Sequence, residues 1–260
     1  MSSTAAVPLH PLRLARPAPG CAHMGTFVKT PAPHVIEILA LAQLDFVVVD
    51  AEHAAFDRRD IDLMVLAGRA SGLPVVVRVP NGEASTLLSA LDLGAAGLVL
   101  PHVDAAEQAR TLVAHARYRG GLRGFSSSPR SSGYGSYGMK SALAQGDGAL
   151  LLCQIESGPA VEAAGAIARV DGVDGLFIGR ADLALSMGFD DTSAAAVEEA
   201  VDHVIRVTRA AGKTVAMAVG SIAERDRFAA RGADWFVVST DQGLLRQAAV
   251  GMFGARQAAP

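Results

Sequence analysis

The chain has 260 residues, half of them apolar and 19% charged, with 23 lysines and arginines against 26 aspartates and glutamates and a net charge of −3. That length and composition support one large buried core and exclude disorder over most of the chain. The near-neutral balance gives no electrostatic footing for nucleic acid or for an anionic membrane, and no apolar stretch approaches the ~18 residues of a membrane span. The only cysteines, Cys21 and Cys153, make no disulfide framework, and a reducing cytoplasm suits both.

Residues 1–19 are rich in Ala and Pro, carry Arg13 and Arg16, and lack the apolar run of a secretory signal. A loosely ordered arm is expected there, with 20–260 as a single domain. Residues 22–27 form a weak first strand. Thr30-Pro31-Ala32-Pro33 then supplies a turn and a helix start, followed by helical spacing at Val35, Ile36, Leu39 and Ala40. Strand-like runs recur at 46–50, 74–78, 97–100, 150–155, 175–178, 214–218 and 235–238. Each is short, aliphatic or β-branched, and bounded by turn or helix signals. Between them lie helical stretches: one capped by Asp57, one at 83–93, one capped by Asp104, then 159–169, a helix with Val197, Val201, Val204 and Ile205 on one face, 222–230 and 243–251. The rhythm breaks at 118–148, where 124–135 reads as a long serine- and glycine-rich loop, either functional or merely mobile.

Eight buried strands alternating with helices predict an α/β fold, the (β/α)8 TIM barrel. An open doubly wound sheet is the alternative, but the first βα turn carries no glycine-rich phosphate motif. In a barrel the polar residues at the carboxyl ends of the strands converge on one mouth. Four runs end this way: 46–50 leads into Glu52 and His53, 74–77 into Arg78, 150–155 into Glu156, and 175–178 into Gly179, Ala181 and Asp182.

Glu156 and Asp182, following different strands, suit a hard or borderline divalent cation, although each could instead cap a helix. His53, beside Asp50 and Glu52, is a candidate base, or a surface histidine after a strand. His102 also follows a strand, but no acidic residue directly precedes it, and it ranks lower. Arg78 at the end of an apolar strand needs an anion, which a substrate or a structural partner can provide. Gly179 and Ala181 could offer backbone N–H groups to a carboxylate. No lysine ends a predicted strand, so a Schiff-base mechanism has no evident nucleophile. A base, an arginine and a metal with two carboxylates fit chemistry through the enolate of an α-keto acid.

The motifs Asp50-Ala51-Glu52-His53, Val77-Arg78-Val79-Pro80, Leu91-Asp92-Leu93-Gly94-Ala95, Gln154-Ile155-Glu156 and Phe177-Ile178-Gly179-Arg180-Ala181-Asp182-Leu183 resemble, in order and spacing, the HpcH/HpaI aldolases, which are metal-dependent class II pyruvate aldolases. The resemblance spans about residues 20–250. It implies a (β/α)8 barrel with a swapped C-terminal helix, in dimers assembled as hexamers. It implies reversible cleavage of a 4-hydroxy-2-oxo acid to pyruvate and an aldehyde, with no nucleic-acid or membrane partner. Glu156 and Asp182 would bind Mg²⁺, Mn²⁺ or Co²⁺, with Zn²⁺ a further candidate. His53 would be the base, Asp92 would raise its basicity, and Asp50 would orient it. Arg78 would stabilise the enolate. Gln154, Gly179 and the backbone at Ala181 and Asp182 would meet substrate. Two departures stand out: Arg180 replaces the usual proline before Ala181-Asp182, and Ala55 replaces a proline after the His53 motif. Two other readings stay open: a CoA-ester lyase of the citrate-lyase β or malyl-CoA type, and a barrel that binds an oxo acid without turnover.

Overall fold

Runs such as Phe46-Val47-Val48-Val49 and Val75-Val76-Val77 have no polar face, so they are stable as strands only where both sides are covered. The computed structural model, which describes residues 21–254, covers them in a closed barrel. The N-terminal arm expected at 1–19 lies outside the described residues. The strands are β1 (His23–Val28), β2 (Phe46–Asp50), β3 (Val75–Arg78), β4 (Gly97–Leu100), β5 (Leu150–Ile155), β6 (Gly175–Ile178), β7 (Thr214–Val219) and β8 (Trp235–Thr240). Each pairs in parallel with the next, and β8 closes onto β1. The connecting helices are α1 (Pro33–Ala40), α2 (Arg58–Ser71), α3 (Ala84–Asp92), α4 (Ala106–Ala116), α5 (Met139–Gly146), α6 (Gly158–Ala168), α7 (Arg180–Ser186), α8 (Ala195–Ala210), α9 (Ile222–Arg231) and α10 (Asp241–Phe253). The expected (β/α)8 barrel is therefore the fold.

Side chains alternate along each strand. Val47, Val49, Val75 and Val77 join the larger core between sheet and helices. Phe27, Phe46, Val48, Val76, Val99, Leu152, Phe177, Ala216, Trp235 and Val237 fill the barrel interior. The interior mixes large and absent side chains. A Cβ on Gly25 would lie 2.7 Å from the Phe46 ring, so Gly25 makes the room that Phe46 occupies.

Local signals set several helix ends. Asp57 and Asp60 form a reciprocal capping box on α2, which ends at Gly72 with φ +71°. Ser157, Ser221 and Thr240 cap α6, α9 and α10. Asp104 does not cap α4, as its position suggested: the N-cap is Ala105, and Asp104 accepts from the Ser157 hydroxyl at 2.5 Å.

The segment 118–148 is also more structured than its composition suggests, with a 3₁₀ turn at Arg130–Gly135 and α5 behind it. Because it joins α4 to β5, it lies on the amino-terminal face, away from the strand ends that carry the polar residues. Buried arginines bind it there. Arg123 pairs with Asp92 at 2.8 Å, and Arg130 bonds Asp62 at 2.6 Å and the Leu93 carbonyl at 2.8 Å. Among the described residues no helix is long and apolar enough to cross a membrane.

Candidate active site

The site begins one residue pair above the apolar interior. Asp50 and Arg78 are register partners on β2 and β3, and both point inward, continuing the alternation of Val48 and Val76. Asp50 is fully buried. It accepts Arg78 Nε at 2.9 Å and Nη2 at 2.7 Å, a two-pronged pair that leaves Nη1 outside it. The guanidinium also lies 4.6 Å from the Phe27 ring centroid, stacked on the apolar layer below.

A second cation meets the same carboxylate: Lys29 Nζ lies 2.9 Å from Asp50 Oδ2. This corrects the reading that no lysine ends a strand. β1 runs one residue further than expected, to Val28, and Gly25, Phe27 and Lys29 follow the inward alternation. Burial pushes the Asp50 carboxyl up, but the bonds and charges of Arg78 and Lys29 prevail and hold it at about 2. Asp50 also accepts the backbone N–H of His53 at 3.2 Å, so it orients His53 through the main chain.

Above this layer two carboxylates approach each other. Glu156, nearly buried, accepts the backbone N–H of His102 at 2.7 Å and lies 2.9 Å from His102 Nδ1. Its other oxygen takes a hydrogen bond from Gln154 Nε2. Glu52 lies 3.3 Å from His102 Nε2, 3.3 Å from Arg78 Nε and 3.7 Å from His53 Nε2. Burial and the neighbouring Glu156 charge raise the Glu52 pKa, against the opposing pull of Arg78, His53 and His102. His102 holds φ +55°, an uncommon conformation for a residue with a side chain. Its two backbone bonds, to Glu156 and from Gln108 Nε2, secure it.

These are the features of a cation seat. Ligand atoms of Glu52, His102 and Glu156 all lie within 4.8 Å of one another. Glu52 Oε2 and Gln154 Oε1 are buried without a hydrogen-bond partner. Carboxylate oxygens and one imidazole nitrogen are donors suited to a borderline divalent ion.

The remaining candidates sit around this centre at different distances. Gly179 packs on it: a Cβ there would stand 3.1 Å from Glu156 Cβ and 3.2 Å from Gln154 Nε2. Its N–H is engaged by the Ile155 carbonyl at 3.0 Å, so Gly179 supplies space. Ala181 and Asp182, both exposed, are in the first turn of α7 on the same rim, and Asp182 stands outside the Glu52–His102–Glu156 cluster. Asp92 ends α3 on the amino-terminal face, paired with Arg123, and within one chain it is not beside His53. Arg180 lies 2.5 Å from Glu224 and over the Phe228 ring. Cys153 is buried in β5, its thiol pushed up to about 12 by burial, and so cannot serve as a nucleophile near neutral pH. Sequence reasoning missed Lys29 and undervalued His102. The alternation from Phe27 signals the first, while the partners of the second are 50 and more residues away along the chain.

Replacing Asp50 by Asn leaves Lys29 without its carboxylate and Arg78 with only Glu52 beside it, and urea unfolding near pH 7 should show a loss of roughly 3–5 kcal/mol. Since folding lowers this carboxyl from 3.8 to about 2, its contribution is fully present above pH 3.8 and is lost as the pH falls through 2. The stability gap between wild type and Asp50→Asn should therefore narrow across that window without closing, and a constant gap would show that the carboxylate charge is not what stabilises the cluster.

The family model described as HpcH/HpaI aldolase/citrate lyase matches residues 23–248. The hydroxypyruvate/pyruvate aldolase of Roseovarius nubinhibens is 36% identical over 229 residues, covering 87% of this chain and 89% of that protein. The 2-keto-3-deoxy-L-rhamnonate aldolase of Klebsiella pneumoniae is 35% identical over 235 residues, covering 88% and 86%. Among solved structures, a HpcH/HpaI aldolase/citrate lyase family protein from Burkholderia cenocepacia superposes with a TM-score of 0.85 at 30% identity, covering 89% of this chain and 93% of that one. With the barrel, the rim of strand-end residues and this match along nearly its whole length, the chain belongs to the HpcH/HpaI aldolase/citrate lyase family.

Proposed function

We propose that this protein is a divalent-metal-dependent pyruvate aldolase that reversibly cleaves a 4-hydroxy-2-oxo acid into pyruvate and an aldehyde. The observation that carries this reading is the inward guanidinium of Arg78, pinned on buried Asp50 beside two crowded carboxylates and on the same rim as His53. That arrangement offers positive charge to an oxygen that becomes anionic, with a proton acceptor nearby.

In the cleavage direction His53, directly or through a water, takes the C4 hydroxyl proton. The C3–C4 bond breaks, the aldehyde leaves, and the enolate of pyruvate develops its charge toward Arg78. Protonation of that enolate releases pyruvate. Glu156 with Asp182 would hold the divalent ion, Mg²⁺, Mn²⁺, Co²⁺ or Zn²⁺, whose contribution when bound is Lewis-acid polarisation of the oxo acid. Gln154, held against Glu156, and the backbone at Ala181 and Asp182 would contact substrate. Two free cysteines, one of them buried in β5, suit a reducing cytoplasm.

Assembly is part of the reading. Helix α10 buries only Asp241 and leaves Leu244, Leu245, Val250, Met252 and Phe253 exposed, an apolar face that an exchanged helix in a dimer, and a hexamer built from dimers, would cover. The role assigned to Asp92 has the same requirement. Asp92 and the loop of His53 are at opposite ends of one barrel, so Asp92 can raise the basicity of His53 only from a second copy.

Three measurements test this. With Mn²⁺, Mg²⁺ or Co²⁺, the purified protein should exchange pyruvate methyl protons in D₂O, and His53→Ala should slow exchange by about 10²–10⁴-fold. No exchange and no pyruvate release from any 4-hydroxy-2-oxo acid would end the reading. Titration with Mn²⁺ should show that Glu156→Gln and Asp182→Asn each lose more than the roughly 10–100-fold in affinity that removing a ligand's hydrogen-bond partner costs. Loss in His102→Ala with none in Asp182→Asn would assign the ion to the Glu52–His102–Glu156 cluster instead. Finally, His53→Ala and Asp92→Asn chains, each impaired alone, should recover activity when co-assembled. Absence of recovery in mixed oligomers would confine Asp92 to its ion pair with Arg123.

A further inference from the structure

Arg78 is asked to stabilise an anion while already bonded to one. Its Nε and Nη2 are both given to Asp50, and Glu52 Oε2 stands 3.3 Å from the same Nε. Counted alone, one guanidinium and two carboxylates sum to −1, a local charge that would repel an enolate. Lys29 offsets one of these negative charges by meeting Asp50 Oδ2 at 2.9 Å, the oxygen that Nη2 also uses.

The lysine is not a loose surface cation. Three-quarters of its side chain is covered, and its backbone is clamped. Its N–H donates to Asp241 Oδ1 at 2.8 Å, and the Thr30 N–H donates to Asp241 Oδ2 at 3.2 Å. Asp241 is nearly buried and opens α10, so one carboxylate fixes the turn after β1 against the turn after β8. The main chain is thus set before Lys29 reaches across to Asp50.

We propose that Lys29 is a positioning residue for enolate formation: by sharing Asp50 with Arg78, it offsets the carboxylate charge that would otherwise face the developing oxyanion and fixes the guanidinium in place. The proposal rests on the aldolase reading above. It explains why a buried carboxylate can bind the arginine so closely without cancelling its use. It also sets Lys29 apart from a free Schiff-base amine, since its Nζ is engaged by Asp50 at 2.9 Å.

The test is pyruvate methyl exchange in the metal-loaded oligomer, with kcat and KM measured separately. Lys29→Met should lower the exchange kcat about tenfold or more, while KM for pyruvate stays within roughly threefold. Lys29→Gln, which keeps a donor for Asp50 without the charge, should behave like Lys29→Met and carries the test if the methionine variant fails to fold. Lys29→Arg should restore most of the rate. Three results would overturn the proposal: a wild-type kcat in the methionine and glutamine variants, a raised KM with unchanged kcat, or an arginine variant no better than methionine. If the wild-type protein itself exchanges no protons under any metal, the aldolase reading falls and this proposal with it. Exchange that is intact in the wild type and in Lys29→Gln rejects the proposal alone.

Discussion

Asp50 has no exposed surface, yet it carries a full charge between Arg78 and Lys29. Removing a carboxylate from water costs several kcal/mol unless close partners answer it. Here the partners come from strands on either side: Arg78 from β3 and Lys29 from the end of β1. The trio therefore ties three consecutive strands at their carboxyl ends, and it does so immediately above the Phe27–Val48–Val76 layer that fills the barrel. The apolar layer excludes water from below, the ion cluster closes it from above, and the site residues Glu52 and His53 follow Asp50 on the same loop. Stability of the rim and charge placement in the site are one arrangement.

Much of this was legible in the sequence because parallel strands buried on both faces are written as unbroken apolar runs, and their first polar residue marks the mouth. Arg78 and Glu156 could be read that way, whereas Gln154, inside its run, rests on the family resemblance. Lys29 is harder to read, because the expected strand at 22–27 stops short of the true end of β1 at Val28, although two-residue alternation from Phe27 leads directly to it. His102 was undervalued for a different reason. Its meaning depends on Glu52 and Glu156, which approach it only once the barrel closes, and no local pattern reports that. The segment 118–148 shows a third kind of limit. Its composition says loop, but its place between a helix and the following strand already puts it on the amino-terminal face, whatever its residues are.

That face has its own buried arginines. Arg117 bonds the Ala149 and Gly172 carbonyls, Arg123 holds Asp92, and Arg130 holds Asp62 and the Leu93 carbonyl. Guanidinium groups with several donors suit this work, since each can satisfy a carboxylate and the orphaned carbonyls at helix ends together. Two polar systems thus sit at opposite ends of one apolar barrel. A resemblance that assigns Asp92 and His53 to one reaction therefore demands contact between ends of different chains. Helix α10 separately leaves Leu245, Met252 and Phe253 exposed.

The substitution at position 180 shows how a departure from a family pattern can keep the geometry it replaces. Proline at the first position of a helix fixes φ and gives up an N–H that would be unbonded in any case. Arg180 holds that position in α7 without the ring. Its side chain instead pairs with Glu224 and stacks 4.7 Å from the Phe228 ring. Glu224 also accepts the Gly220 N–H at 2.6 Å, so the turn after β6 is tied to the turn after β7. Arg227 and Arg231 stack on the same ring, which fixes the guanidinium of Arg180 in a crowded cationic cluster. Its charge is spent on Glu224, so Arg180 ties the turn that carries Gly179 and Asp182 to the turn after β7.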